Sequence, residues 1–233
     1  MKTIKRNFHL NKYADKLRHT PLNPRILATD LHIDVNKSFK KELFRKLIHL
    51  SSLWIPLLIY IAPALISISV FTFIFVGDII LEYGNYKKWR WARRSFGFLF
   101  YRTLRNKELN RHRLRLSGGA YVMLAAIICT FLFPTNVAVI ALTIMLVSDS
   151  CAALFGKAYG TRRLYKNKSL EGTVAFFISA LCIMIMGNII LPVTYAGIIA
   201  AVAATLCEMY EDKIKIDDNL SIPLVIGTIL CLL

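Results

Sequence analysis

Long apolar runs separated by short polar stretches are the main pattern of this 233-residue chain. A helix needs about 20 apolar residues to cross a bilayer, and runs near that length recur after residue 46. They predict seven spans, over residues 47–62, 63–83, 117–133, 136–155, 172–191, 195–211 and 219–233. The first is short, so snorkelling flanking residues must extend it, and the last is equally compatible with a partial or re-entrant segment. We therefore expect an all-α, polytopic transmembrane helix bundle.

Basic residues fall only in alternate connections between these spans. The 30 Lys and Arg side chains lie in residues 1–46 (12), 84–116 (11), 156–171 (5) and 207–218 (2). The connections around residues 61–63, 133–136 and 191–194 carry none. All basic segments then lie on one side, which the positive-inside rule identifies as cytosolic together with the N-terminus. Because topology accounts for the net charge of +16, the charge does not indicate nucleic-acid binding.

The pattern divides the chain into two predicted units. Residues 1–46 form a basic cytosolic arm without a signal peptide, and 47–233 form the transmembrane domain. Within that domain, residues 84–116 mix eleven cations with aromatic side chains, which suits a segment lying in the headgroup layer. This segment is either a membrane anchor attracted to anionic lipid or the wall of a lipid-entry site. The five cysteines form no CxxC pair and indicate buried small side chains rather than a zinc or disulfide framework.

Asp149 is the first candidate functional residue, because it interrupts an apolar span. It precedes Gly156 by seven residues and so lies roughly 10 Å inside the predicted boundary, at a rise of about 1.5 Å per residue. A carboxylate at that depth is costly unless it is paired, hydrated or bound to a metal. The alternative to a functional role is a structural ion pair with a cation on a neighbouring helix.

A glycine pair and a basic stretch follow Asp149. Gly156 and Gly160 suit a loop that exposes backbone N–H groups to phosphate, although GxxxG more often marks close helix packing in a membrane protein. Cations then follow at Arg162, Arg163, Lys166 and Lys168. An acid, free amides and cations are the groups that phosphoryl transfer uses. Glu171, at the start of the fifth span, is either a favourable helix N-terminal charge or a catalytic or metal-binding group.

Further polar groups lie at the cytosolic ends of other spans. Arg45 and His49 are four residues apart on one helix face, with Lys46 between them, and they suit either snorkelling or a phosphate or headgroup contact. The remaining groups are Asp78, Glu82, Ser117–Gly119, Glu208 and Asp217–Asn219. The acids of this set suit a metal site as well as they suit ion pairing or helix N-capping. The pattern fits an enzyme that acts on a headgroup-level hydroxyl with a soluble anionic co-substrate.

Four motifs, in this order, resemble the polyprenol kinase family, which includes dolichol kinase, phytol kinase and CTP-dependent diacylglycerol kinase. They are RKxxH (Arg45, Lys46, His49), SDSCAALFGKAYG around Asp149, NKSLEG (167–172) and DDNLSIP (217–223). The resemblance covers residues 42–227, and RTLRNKEL before SGGAYV is most similar to the diacylglycerol kinase branch. It implies transfer of the γ-phosphate of CTP to a membrane lipid alcohol, with diacylglycerol giving phosphatidate. The bacterial inner membrane and the endoplasmic reticulum are equally compatible locations.

The resemblance and the chemistry of these side chains together suggest residue roles. The catalytic candidates are Arg45, Lys46, His49, Asp149 and Glu171. The nucleotide-binding candidates are Gly156, Gly160, Arg162, Lys168, Ser169 and Gly172. Mg²⁺ would be held by Asp149 with Asp217 or Asp218, Arg45 and Lys46 would neutralise the transferring phosphoryl group, and the general base stays open among Asp149, Glu171 and His49.

Three alternatives remain. A dolichol, polyprenol or phytol kinase uses the same chemistry on another lipid, although this chain is short for a dolichol kinase. A phosphatidate cytidylyltransferase also uses CTP, but its Asp-Arg-x-Asp-Ser run is absent. A non-catalytic transporter would place polar residues across several spans, whereas the charges here stop at the cytosolic half.

Overall fold

The computed structural model describes residues 39–87, 89, 116–166, 168–187, 195–214 and 216–233. The predicted arm up to residue 38 and most of the predicted interfacial segment (90–115) lie outside this range. Within it, the chain is mostly helical, as expected. The helices are α1 (39–51), α2 (Trp54–Ile61), α3 (Ala64–Tyr86), α4 (Gly118–Leu132), α5 (Thr135–Tyr159), α6 (Leu170–Met186), α7 (Tyr195–Met209), α8 (Glu211–Ile214) and α9 (Asp218–Leu232).

Within the described ranges, three helical segments are long and apolar enough to cross a membrane: Phe39–Ile61, which joins α1 and α2, then α3 and α5. The first begins eight residues before the predicted span, so Arg45, Lys46 and His49 lie inside a helix. Four shorter apolar helices, α4, α6, α7 and α9, coincide with the other predicted spans. The chain is thus a helical membrane protein, and the count of seven spans and their orientation remain predictions.

The all-α expectation missed one feature, a two-stranded hairpin between α5 and α6. Strands β1 (Arg163–Tyr165) and β2 (Lys168–Ser169) pair antiparallel. The tyrosines Tyr165 and Tyr210 meet edge to face with ring centroids 5.3 Å apart, and Lys166 reaches Asp212 at 3.3 Å. The hairpin therefore docks on the junction between α7 and α8. It is too short for a period-2 pattern to identify it.

Helix α5 is the centre of the bundle, and it packs against α2, α6 and α9. Leu142, Ile144, Met145 and Leu146 are fully buried along it. By contrast, α3 presents large exposed apolar side chains such as Leu65 and Phe73, which suits contact with lipid. The central position of α5 places Asp149 within reach of side chains from several other helices.

Candidate active site

A buried ion pair joins α1 to α5. The ammonium group of Lys46 donates a hydrogen bond to Oδ2 of Asp149, and the two residues are only 1% and 8% exposed. His49, one turn after Lys46, places Nε2 3.4 Å from the same carboxylate oxygen. The structural alternative for Asp149, a cation from a neighbouring helix, is therefore realised in this structure. It does not exclude a functional role, because the pair lies where other polar groups converge.

Arg45 points to a different partner. Its Nε donates to Oε1 of Glu42 at 3.2 Å, and Lys157 at the end of α5 reaches the other oxygen of Glu42 at 3.5 Å. Arg45 and His49 are on adjacent turns, as expected, but only His49 contacts Asp149. The contact with Glu42 uses Nε and Nη2 of the guanidinium group, and the contact of Arg45 with phosphate stays a prediction.

The predicted glycines lie at the crossing of α5 and α6. A Cβ added to Gly172 would lie 2.8 Å from the carbonyl oxygen of Ala152 and 3.2 Å from Cα of Gly156. The N–H of Gly160 donates to the carbonyl of Gly156 at 3.1 Å, so it is already used within the chain. The close-packing interpretation of GxxxG thus describes this structure. A role for Gly156, Gly160 and Gly172 in phosphate binding stays a prediction.

Ser169 and Glu171 order the chain between α5 and α6. Ser169 is the N-cap of α6, and its hydroxyl accepts a hydrogen bond from the N–H of Gly172 at 3.2 Å. Oε1 of Glu171 accepts hydrogen bonds from the N–H of Thr161 at 2.8 Å, from its hydroxyl, and from the N–H of Arg162 at 3.3 Å. Glu171 therefore fixes the loop that precedes the hairpin, which is a positioning task. Arg162 is exposed beside this loop.

Lys168 links the hairpin to the acids of α7 and α8. Its Nζ donates to Oε1 of Glu208 at 2.6 Å and lies 3.4 Å from Oε2 of Glu211. Burial by itself would lower the pKa of Lys168, but the Glu208 carboxylate and its hydrogen bond outweigh burial and raise it. Lys168 is thus a firmly protonated cation held among carboxylates.

Asp217 and Asp218 begin α9. Oδ1 of Asp217, the N-cap residue, accepts from the backbone N–H of Asn219 at 3.1 Å and from its side-chain amide at 2.7 Å. Burial and the neighbouring Asp218 carboxylate raise the pKa of Asp217 to about 7, against the opposing hydrogen bonds from Asn219. Both alternatives given to these acids, capping and ligand binding, therefore fit this geometry.

Glu82 connects α3 to the start of α4. Its Oε1 accepts a hydrogen bond from the N–H of Ser117 at 2.7 Å, and the Ser117 hydroxyl caps Ala120 at 3.3 Å. Gly118 lies next to Asn219: a Cβ added to Gly118 would be 3.6 Å from the side-chain amide nitrogen of Asn219. The Ser-Gly-Gly turn thus lies between Glu82 and the start of α9. Its small residues allow the start of α4 to approach the start of α9 closely.

The predicted residues converge on one end of the bundle. Asp218 interacts electrostatically with both His49 and Lys168, so the Lys46–Asp149 pair and the acids of α9 border one polar region. We call it the polar centre. Sequence reasoning missed Glu42 and Glu211 as its members, and it missed Thr161 as the partner of Glu171. Glu211 lies in the acidic stretch EMYEDKIKIDDN with Glu208 and Asp217, so that charge pattern was the available signal for it.

A divalent cation fits one part of the polar centre better than another. Carboxylate oxygens of Glu211, Asp217 and Asp218 all lie within 4.8 Å of one another, which suits the oxygen ligands that Mg²⁺ prefers. Asp149 already contacts Lys46 and His49, so its carboxylate is neutralised without a metal. The predicted metal role therefore fits Asp217 and Asp218 better than it fits Asp149.

Comparison with known proteins gives relatives of two kinds. The chain is 32% identical to the uncharacterized protein RP860 of Rickettsia prowazekii over 195 residues, which are 81% of this chain and 92% of that protein. It is 26% identical to CTP-dependent diacylglycerol kinase 1 of Schizosaccharomyces pombe over 217 residues, 84% and 95% of the two chains. The protein of the same name from Saccharomyces cerevisiae is 28% identical over 181 residues, 70% of this chain but 56% of that longer one.

No protein-family model matches the chain, and no solved structure matches it. The resemblance drawn from the four motifs is confirmed at the level of distant relatives that are kinases. Assignment to the diacylglycerol kinase branch is finer than these identities support. The chain therefore belongs to the family of RP860, and this family is distantly related to the CTP-dependent diacylglycerol kinases of two yeasts.

Proposed function

We propose that the protein is a CTP-dependent lipid kinase that transfers the γ-phosphate of CTP to the hydroxyl of diacylglycerol, giving phosphatidate and CDP. The observation that carries the proposal is the Lys46–Asp149 pair with His49 beside it, at an end of the bundle where cations and acids converge. The distant relationship to kinases named for this donor and lipid supports the choice of substrates. Dolichol, other polyprenols and phytol remain alternative acceptors.

The proposed reaction forms one bond and breaks another. The lipid hydroxyl oxygen attacks the γ-phosphorus, the bond from that phosphorus to the β,γ-bridging oxygen breaks, and CDP leaves. The hydroxyl proton passes to the His49–Asp149 pair. Glu171 is a weaker candidate for the base because its Oε1 already accepts three hydrogen bonds from the 161–162 loop.

Charge stabilisation is the main task of the other side chains, because phosphoryl transfer depends chiefly on positioning and electrostatics. Lys46 holds the Asp149 carboxylate in place and adds positive charge at the site. Arg162 and Lys168 lie at the two ends of the hairpin, where cations can bind the donor phosphates. Mg²⁺, when bound at Asp217 and Asp218, supplies neutralisation of the phosphate oxygens.

The test is phosphate transfer by the purified protein in mixed micelles with Mg²⁺. CTP or ATP labelled at the γ-phosphate is offered with diacylglycerol, phytol or a polyprenol, and the nucleotide product is identified. We expect label in phosphatidate with release of CDP, and loss of both in Asp149→Asn. Release of pyrophosphate with formation of a CDP-lipid would instead identify a cytidylyltransferase. Folded protein that binds no nucleotide would contradict both enzyme hypotheses.

A further inference from the structure

Three carboxylates from two helices crowd together beside the hairpin. Glu211 begins α8, Asp217 caps α9 and Asp218 is the first residue of α9. Each offers an oxygen, and these oxygens lie within 4.8 Å of one another. Like charges at this separation repel, and a hard cation with oxygen ligands removes the repulsion.

Buried oxygen atoms around this cluster lack hydrogen-bond partners among the described residues. Ser221 is 7% exposed, and its Oγ accepts and donates no hydrogen bond. It follows Asp218 by three residues and Asp217 by four, so it lies on the same face of α9. Oδ1 of Asn219 and Oε2 of Glu208 are buried without partners as well. Each unpaired buried group costs about 1–3 kcal/mol, and a hydrated cation beside Ser221 would give its Oγ a partner.

Lys168 places a positive charge at the edge of the same cluster. Its Nζ bridges Oε1 of Glu208, at 2.6 Å, and Oε2 of Glu211, at 3.4 Å. The side chain is 27% exposed, whereas that of Glu208 is 5% exposed, so the ammonium group has room to turn outward. A divalent cation at Glu211 would repel this ammonium group and take over part of its neutralising role.

We propose that Glu211, Asp217 and Asp218 form a divalent-cation site in which Lys168 is the competing charge. When the cation binds, Lys168 leaves Glu211 and becomes available to the phosphates of the nucleotide. The cation site extends the earlier expectation for Asp217 and Asp218 by a third ligand, Glu211. Only the transfer of Lys168 to the phosphates rests on the proposed function.

The site can be tested without any substrate. Binding of Mn²⁺ to the purified full chain is measured by electron paramagnetic resonance, without nucleotide or lipid alcohol. We expect Glu211→Gln and Asp218→Asn each to weaken Mn²⁺ binding by about tenfold or more. Lys168→Met should tighten binding several-fold because it removes the competitor, and Lys168→Arg should keep the parent affinity.

Matched controls lie in the same segments. Asp212→Asn changes the acid next to Glu211. Lys166→Met changes the other hairpin lysine, which pairs with Asp212. Neither substitution should change Mn²⁺ affinity by more than about twofold. The gain expected for Lys168→Met cannot arise from misfolding. Unchanged or weaker Mn²⁺ binding in Lys168→Met would overturn the competition, and unchanged binding in both Glu211→Gln and Asp218→Asn would overturn the site. Mn²⁺ binding without phosphate transfer from CTP would contradict only the proposed function.

Discussion

The polar centre contains two charged regions that the fold treats differently. In the first, Lys46 and Asp149 form a one-to-one pair in the interior of the bundle. In the second, Lys168 faces Glu208 and Glu211, with Asp217 and Asp218 beside them. The first is neutralised by the chain itself, whereas among the described residues of the second the carboxylates outnumber the lysines that contact them. We propose that the first pair fixes geometry, while the second region is completed by a bound cation.

Breaking the first pair should produce the largest effect. Lys46→Met leaves a buried carboxylate without its cation, and removing one partner of a buried pair costs about 3–5 kcal/mol. We expect a loss of unfolding free energy of that order and loss of phosphate transfer. Thermal unfolding in detergent measures the loss of stability, and labelled CTP measures the loss of phosphate transfer.

The double variant Lys46→Met with Asp149→Asn is the matched control. It removes both charges, so its stability should exceed that of Lys46→Met alone while phosphate transfer stays absent. A double variant less stable than Lys46→Met would show that the two residues do not act as a pair.

Lys168→Met should have a smaller effect on stability, and one that depends on cations. Loss of its hydrogen bond to Glu208 should cost about 1–3 kcal/mol without divalent cations. Because a ligand that binds the folded state stabilises it, added Mg²⁺ should restore much of this loss. The same addition should stabilise Lys46→Met by less, because Lys168 still competes with the cation in that variant. Equal rescue of both variants in unfolding experiments would remove the distinction between the two regions.

Gly172→Ala tests whether the close crossing of α5 and α6 fixes the position of one charged region relative to the other. The added methyl group meets the Ala152 carbonyl, and overpacking of this kind costs about 1–3 kcal/mol. Gly77→Ala on α3 is the control, because nothing lies within 4 Å of the added atom. Comparable unfolding temperatures for the two variants would contradict the packing role of Gly172.

Glu171→Gln should give the smallest effect, confined to nucleotide binding. A neutral amide oxygen accepts weaker hydrogen bonds from Thr161 and Arg162 than a carboxylate does, so the 161–162 loop becomes less ordered. We expect a several-fold rise in KM for CTP with little change in kcat, and a smaller rise for Thr161→Val, which keeps the backbone N–H. A large fall in kcat at unchanged KM would instead support Glu171 as a base.

The apolar pattern predicted most of the helices, because a segment must be apolar to lie in lipid whatever its neighbours are. The starts of α4 and α9 agree with the predicted spans to within about one or two residues, the usual uncertainty of helix ends. Helix α1 begins at residue 39, eight residues before the predicted span, because a helix can continue through polar residues such as Lys40 and Lys41, which an apolar pattern does not include.

The pairing of side chains was much less predictable. Lys46 and Asp149 are 103 residues apart, and Lys168 and Glu208 are 40 apart, so no local spacing links them. Arg45 was expected beside the transferring group, and its contact with Glu42, one turn earlier, was not foreseen. The glycines illustrate the same limit, since a GxxxG spacing is compatible with a phosphate loop and with a helix crossing. In this structure Gly156 and Gly172 lie at the crossing of α5 and α6, and the phosphate-loop interpretation stays a prediction.

The most direct test of the proposed reaction compares phosphate transfer by the parent with transfer by the double variant, once thermal unfolding has shown that both are folded. The parent and the Lys46→Met, Asp149→Asn double variant are given CTP labelled at the γ-phosphate, diacylglycerol and Mg²⁺ in the same micelles. The account predicts labelled phosphatidate from the parent and none from the folded double variant. Equal transfer by both proteins would contradict the assignment of the reaction to the Lys46–Asp149 pair, and a parent that binds CTP but labels no lipid would contradict the kinase itself.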